Sequence, residues 1–153
     1  MISSLFFHSA VIVLLSACSG IVPDKNVVRS TLGNGLRVVI VRNTTAPVVT
    51  VQMNYLAGSN ESTTGFPGTA HALEHMMFRG SPGLSGDQIN AILTGDGGES
   101  NAFTSQTDTR YISTVPASDL EPMLRLEALR MRGIDCDERQ WELERSANRG
   151  KVT

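Results

Sequence analysis

Gly68-Thr69-Ala70-His71-Ala72-Leu73-Glu74-His75-Met76-Met77-Phe78-Arg79-Gly80 is the stretch on which the reading of this chain turns. Residues 69–78 hold no breaker and several good helix formers, and Arg79-Gly80-Ser81-Pro82-Gly83 follows as a stop, so a helix is expected there. Positions i, i+3 and i+4 of a helix share one face about a turn apart, which brings His71, Glu74 and His75 together. Two imidazoles can then reach one cation. The glutamate beside them is placed to take a proton from an activated water rather than to ligate. Zinc (Zn2+) suits this donor set, because it accepts imidazole nitrogen, tolerates flexible geometry and brings the pKa of its water near neutrality.

The bland alternative is an amphipathic helix whose histidines and glutamate form local surface pairs. Histidine usage argues against it. The chain has three histidines, and apart from His8 near its start the two that remain are His71 and His75. The same count bears on the rest of the site. A catalytic zinc takes three protein ligands and keeps an open position, no histidine is left for the third, and Asp or Glu is therefore expected.

Working outward toward the N-terminus, Leu32-Gly33-Asn34-Gly35 is a turn signal, with Asn-Gly suited to positive φ, and the β-branched run 36–42 after it reads as a strand. Residues 43–47 make a second turn. Residues 48–55 give a second strand whose Val49, Val51 and Met53 share a face, and the two strands are expected to pair as a hairpin. The polar, glycine-rich run 58–68 reads as a loop leading into the metal helix. Beyond that helix, a second one is expected from Ser85 or Asp87 to Leu93, then a glycine turn over 94–98. Strands are expected over 101–105 and 109–115, the latter closed by Pro116. Ser118 with Glu121 matches a capping box for a helix carrying Leu120, Met123, Leu124 and Met131, and a last helix is expected to start near Asp137.

The chain has 153 residues, a formal net charge of -2, 41% hydrophobic and 18% charged residues, which fits one ordinary globular domain. It has neither a basic stripe nor an acidic block, so nucleic acid is excluded as an expected partner and a peptide or small molecule is favoured. The apolar run 5–15 is too short to span a bilayer and precedes small residues, as in an export signal, although no Lys or Arg stands before it. Leu15-Ser16-Ala17-Cys18 resembles the bacterial lipobox, in which the cysteine is lipid-modified. The expected organisation is a signal over 1–17, Cys18 as the lipidated mature N-terminus, a linker over 18–30 and a folded part over 31–153. That places the protein in a bacterial cell envelope, anchored to a membrane by lipid, as an outer-membrane lipoprotein facing the periplasm. With Cys18 lipidated, Cys136 has no disulfide partner.

The metal stretch, together with Leu32 to Val39, Tyr55 to Ser59, Gly97-Gly98, Asn101-Ala102-Phe103-Thr104, Asp108 to Tyr111 and Glu127 to Met131, resembles the pitrilysin/insulinase family of zinc metallopeptidases, the inverzincins, over about residues 30–145. The resemblance implies an α+β domain with a mainly antiparallel sheet and helices on one side. It implies that Asn101, Ala102, Phe103 and Thr104 form an edge strand that binds substrate peptide by strand addition. It also implies that His71 and His75 hold zinc, that Glu74 is the catalytic base, and that a second similar domain or subunit completes the cleft. The family's third ligand is a glutamate seven residues after a Glu-Arg pair. Glu144-Arg145 matches the pair, with Glu144 as an outer-shell or auxiliary catalytic acid, and Lys151 stands where the ligand is expected. That departure, and the polar character of residues 146–153, read as a truncation or shifted frame that leaves this chain inactive alone. The reading from another class is a non-catalytic peptide-binding subunit of the same fold.

Overall fold

The computed structural model describes residues 25–135 and 137–149. The expected signal, the lipidation site Cys18, Cys136 and Lys151 lie outside the described residues.

The chain enters the fold through a hairpin. Strand β1 (Val27–Thr31) pairs antiparallel with β2 (Arg37–Val41), in a register that sets Val27 opposite Val41 and Thr31 opposite Arg37. The turn between them is the expected one. Gly35 takes φ +86, Leu36 N–H donates to Asn34 Oδ1 at 3.1 Å, and Leu32 N–H donates to the Leu36 carbonyl at 2.8 Å. Strand β1 falls largely within the stretch expected to be linker, so ordered structure already includes Val27.

Two expectations need correction here. Strand β3 (Val48–Tyr55) does not pair with β2; it lies against β7 (Thr109–Pro116), from Val48 opposite Pro116 to Tyr55 opposite Thr109. The reason is that β1 already occupies β2 through a tight turn, while β7 offers β3 an eight-residue partner with one buried face. The central sheet has the order β3-β7-β6, antiparallel throughout, with β6 (Glu99–Thr104) along one edge. A minor hairpin, β4 (Gly80–Ser81) with β5 (Leu84–Ser85), follows the metal helix.

Among the described residues, four α-helices complete the architecture: α1 (Thr69–Met76), α2 (Gly86–Thr94), α3 (Leu120–Arg132) and α4 (Glu138–Arg149). Helix α2 starts with a reciprocal cap, since Gln88 N–H donates to Ser85 Oγ and Ser85 N–H donates to Gln88 Oε1. The capping box expected at Ser118 and Glu121 does not form, which is the second correction. Ser118 Oγ donates to Asp119 Oδ1, and Glu121 instead accepts from Arg125 one turn along α3. A single 3-10 turn over Ala117–Asp119 displaces the start of α3 to Leu120, out of reach of the serine. Asp137 caps α4, accepting from Arg139 N–H at 2.7 Å.

The core lies between one face of the sheet and the helices. Strand β7 alternates strictly, burying Thr109, Tyr111, Ser113 and Val115, which is the period-two pattern of a strand with one covered face. One apolar cluster joins Met53, Tyr55, Met77 and Tyr111; the other joins Ile89, Leu93, Val115, Met123 and Leu126. Phe78 packs against both, which ties the end of α1 to the sheet and to α3. That anchorage sets the metal-motif face of α1 beside β6.

Candidate metal centre

Helix α1 is entered through Gly68, the residue before Thr69, whose φ of +83 turns the 58–68 loop into the helix axis. One turn later His71, Glu74 and His75 stand on one face. Their ligand atoms all lie within 4.8 Å of one another, and the two imidazoles meet edge to face with centroids 4.7 Å apart. The atoms that face each other are His71 Nε2 and His75 Nε2, separated by 3.2 Å.

That distance tests whether the pair can share a cation. Two nitrogens each about 2.05 Å from a tetrahedral zinc lie about 3.3 Å apart, so the imidazoles are already spaced as ligands of one ion. The tautomer of His75 agrees with this. Glu144, reaching over from α4, accepts from His75 Nδ1–H at 2.8 Å, which leaves the Nε2 lone pair directed at the shared position. Glu144 therefore meets the imidazole at the edge opposite Nε2. Glu144 as a residue is 6% exposed, and its other carboxylate oxygen accepts from Arg79, at 2.5 Å from Nη2 and 3.0 Å from Nε. Burial raises the Glu144 pKa, but the hydrogen bonds from Arg79 and then His75 outweigh it and hold the carboxyl below its ordinary value. Among the described residues, the clustered donors are His71, His75 and Glu74, with no third ligand besides that glutamate.

Glu74 is the most buried member of the triad at 7% exposure. Thr104 Oγ1 donates to its Oε2 at 2.5 Å, which fixes the carboxylate from the β6 side and leaves Oε1 for another donor. Strand β6 alternates: Ser100, Ala102 and Thr104 face inward, while Asn101 and Phe103 face outward. Of the four residues expected to bind substrate, Thr104 thus touches the expected base directly. Phe103 is exposed beneath the guanidinium of Arg110, whose Cζ stands 5.3 Å from the ring centroid.

Glu74 borders three spaces among the described residues, one of them apolar between α1 and the sheet and the other two along β6. The larger of these two, about 850 Å³, lies between α1, β6 and the 58–68 loop, and is lined by His71, Thr63, Pro67, Phe103 and Thr104. The smaller, about 280 Å³, is lined by His75, Arg79, Ser100, Asn101 and Glu144. Ala102 and Glu74 line both, so a length of β6 edge with no strand partner among the described residues runs past the carboxylate from one space into the other.

The wall of the larger space is held by backbone contacts. Ser59 N–H donates to the Ser105 carbonyl at 2.9 Å and Asn60 N–H to the Gln106 carbonyl at 3.0 Å. This requires Gly58, where an added Cβ would stand 2.5 Å from Ser105 O and 2.7 Å from Asp108 N. Ser105 Oγ and Arg110 Nε both donate to the Asp108 carboxylate, and these bonds hold its pKa down against burial, Ser105 contributing most.

Arg79 and the inward role of Thr104 were not legible as site features. Arg79 stands four residues after His75, a one-turn spacing that was the single available signal, and it lies beyond the last residue of α1. Thr104 shares no local spacing with Glu74, being thirty residues away.

Comparison with known proteins follows the same lines. The family model described as insulinase, peptidase family M16, matches residues 37–149. Zinc protease PqqE of Helicobacter pylori is 38% identical over 117 residues, covering 75% of this chain and 26% of the relative. The probable mitochondrial-processing peptidase subunit beta of Arabidopsis thaliana is 34% identical over 116 residues, covering 76% of this chain and 22% of that protein. Among solved structures, a protease from Helicobacter pylori superposes with a TM-score of 0.75 at 33% identity over 82% of this chain and 30% of that one. Pitrilysin superposes with a TM-score of 0.74 at 26% identity, over 85% of this chain and 14% of that one. The chain spans about a quarter of the length of the curated relatives it matches. With its antiparallel sheet, its helices on one face and its inverted His-x-x-Glu-His helix, the chain belongs to the insulinase family of peptidases, family M16.

Proposed function

We propose that this chain carries the metal-binding part of a zinc metalloendopeptidase, with His71 and His75 as ligands and Glu74 as general base. The observation that carries the reading is the 3.2 Å approach of His71 Nε2 and His75 Nε2 beside a buried glutamate on the edge of β6. Zinc, when bound there, acts as a Lewis acid and brings the pKa of a water close to neutrality.

The chain's own residues do the rest. A substrate peptide adds as a strand along Asn101, Ala102, Phe103 and Thr104, held by main-chain hydrogen bonds on the free edge of β6. Its scissile bond lies over Glu74, with flanking side chains in the two spaces on either side. Thr104 holds Glu74 Oε2, so Oε1 receives the proton of the attacking water and hands it to the leaving amine. Glu144 keeps His75 oriented and serves as a support rather than as a ligand. The strand-addition groove is open on one side, so a second homologous domain or subunit is assigned to close it and to exclude water. Cys18 is proposed as a lipid anchor that places the protein in a bacterial envelope; no helix among the described residues is long and apolar enough to cross a membrane.

Zinc titration and peptide hydrolysis test this reading. The chain should take up zinc weakly, through two imidazoles, and His75→Ala should abolish uptake. Peptide hydrolysis by a complete enzyme carrying this domain should be chelator-sensitive, with little turnover by the 153 residues alone. Zinc uptake unchanged by His75→Ala would sink the assignment.

A further inference from the structure

The residue that the proposed chemistry leaves unused is Arg79. It touches neither imidazole, and its side chain is 56% exposed, yet two of its N–H groups converge on one oxygen of Glu144, a carboxylate otherwise shielded from water. The other oxygen of that carboxylate receives His75 Nδ1–H. Glu144 is therefore divided between two partners, one oxygen each. The terminal torsion of a glutamate is broad and roughly two-fold, so a carboxylate gripped at one oxygen alone is free to turn. Among the described hydrogen bonds, Arg79 supplies the second grip.

We infer that Arg79 is a positioning residue of the metal site: by taking Glu144 Oε1 it fixes Oε2 on His75 Nδ1, and so keeps the Nε2 lone pair of His75 aimed at His71. The inference rests on the reading of His71 and His75 as ligands, but its first readout needs no metal. A guanidinium suits the task better than an ammonium, since Nε and Nη2 form a rigid fork on one oxygen while lysine offers a mobile point charge. The placement of Arg79 just after α1 also makes the grip a strap between the metal helix and α4.

Long-range 15N NMR of the metal-free chain, at a pH well above the ordinary imidazole range, reads the His75 tautomer directly. The unmodified chain should show His75 as Nδ1–H. In Arg79→Gln a mixture with the Nε2–H form is expected, and Arg79→Lys should fall between. Zinc affinity, measured by competition with a chromophoric chelator, should weaken in Arg79→Gln by up to about tenfold, the lower end of the loss common when the direct outer partner of a ligating histidine is removed, because Glu144 remains and only its second grip is lost. A folded Arg79→Gln chain that keeps a pure Nδ1–H population overturns the inference. If Arg79→Gln loses helical circular dichroism, Arg79→Lys decides alone: a mixed population supports the inference and a pure Nδ1–H population refutes it. Absence of zinc uptake by the unmodified chain would remove the metal reading, while the tautomer result still decides what Arg79 does.

Discussion

Arg130→Met should destabilise the fold strongly, by an amount that grows with pH. Arg130 sits on α3 with its side chain fully buried and donates to Glu127 Oε1 at 2.9 Å. Its guanidinium lies 4.8 Å from the Phe78 centroid and 5.6 Å from that of Tyr111, so it joins the end of the metal helix to β7. Methionine keeps most of the stem and its packing but removes the charge. Breaking a buried pair by removing one partner costs about 3–5 kcal/mol, because the remaining carboxylate is left buried and uncompensated.

The pH dependence follows from Glu127. Burial raises its pKa above the ordinary 4.5, and Arg130 pulls it back only in part. A carboxyl whose folded pKa is raised binds more protons in the native state than in the unfolded chain, so its stabilisation is present below the ordinary value and is lost as pH rises through the folded one. Removing Arg130 raises that folded pKa further. The loss on Arg130→Met should therefore be small near pH 4.5 and largest near pH 8, a difference that urea unfolding at the two pH values measures.

Glu127 Oε2 and Arg130 Nε and Nη2 have no hydrogen-bond partner among the described residues, so the pair is incompletely satisfied even when intact. The double variant Glu127→Met/Arg130→Met should accordingly recover most of the stability lost by Arg130→Met alone. A loss under about 1 kcal/mol at pH 8, or a double variant as damaged as the sum of the two single ones, would refute this account of the core.

Three further outcomes are expected. Glu74→Gln in a complete enzyme should abolish turnover with zinc content retained, since the amide cannot accept the water proton and touches neither imidazole; metal analysis beside a peptidase assay reads both. Gly58→Ala should cost about 1–3 kcal/mol in thermal unfolding, because the new Cβ meets the backbone of Ser105 and Asp108 rather than a movable side chain. Cys18→Ser should release a membrane-bound chain into the soluble fraction, and an unmodified chain that is already soluble and keeps residues 1–17 would count against lipidation.

What the sequence determined by itself was local. His71, Glu74 and His75 lie within one helical turn, so their spacing placed them on one face before any tertiary contact was known. The Asn34-Gly35 turn, the Ser85 side of α2, the alternation of β7 and the start of α4 near Asp137 are legible for the same reason, each resting on near neighbours in the chain. Strand pairing was not. The β2–β3 hairpin was the shortest available connection, yet β3 found its partner in β7, about sixty residues on. Only the tertiary structure decided that Thr104 holds Glu74 across 30 residues and that Glu144 meets His75 across 69. Such contacts depend on how an apolar core, with Phe78 packed against both of its clusters, sets separate elements against one another. Hydrophobic burial has no direction and leaves no spacing signal in the chain, so the supports of the site became visible only once the helices had packed on the sheet.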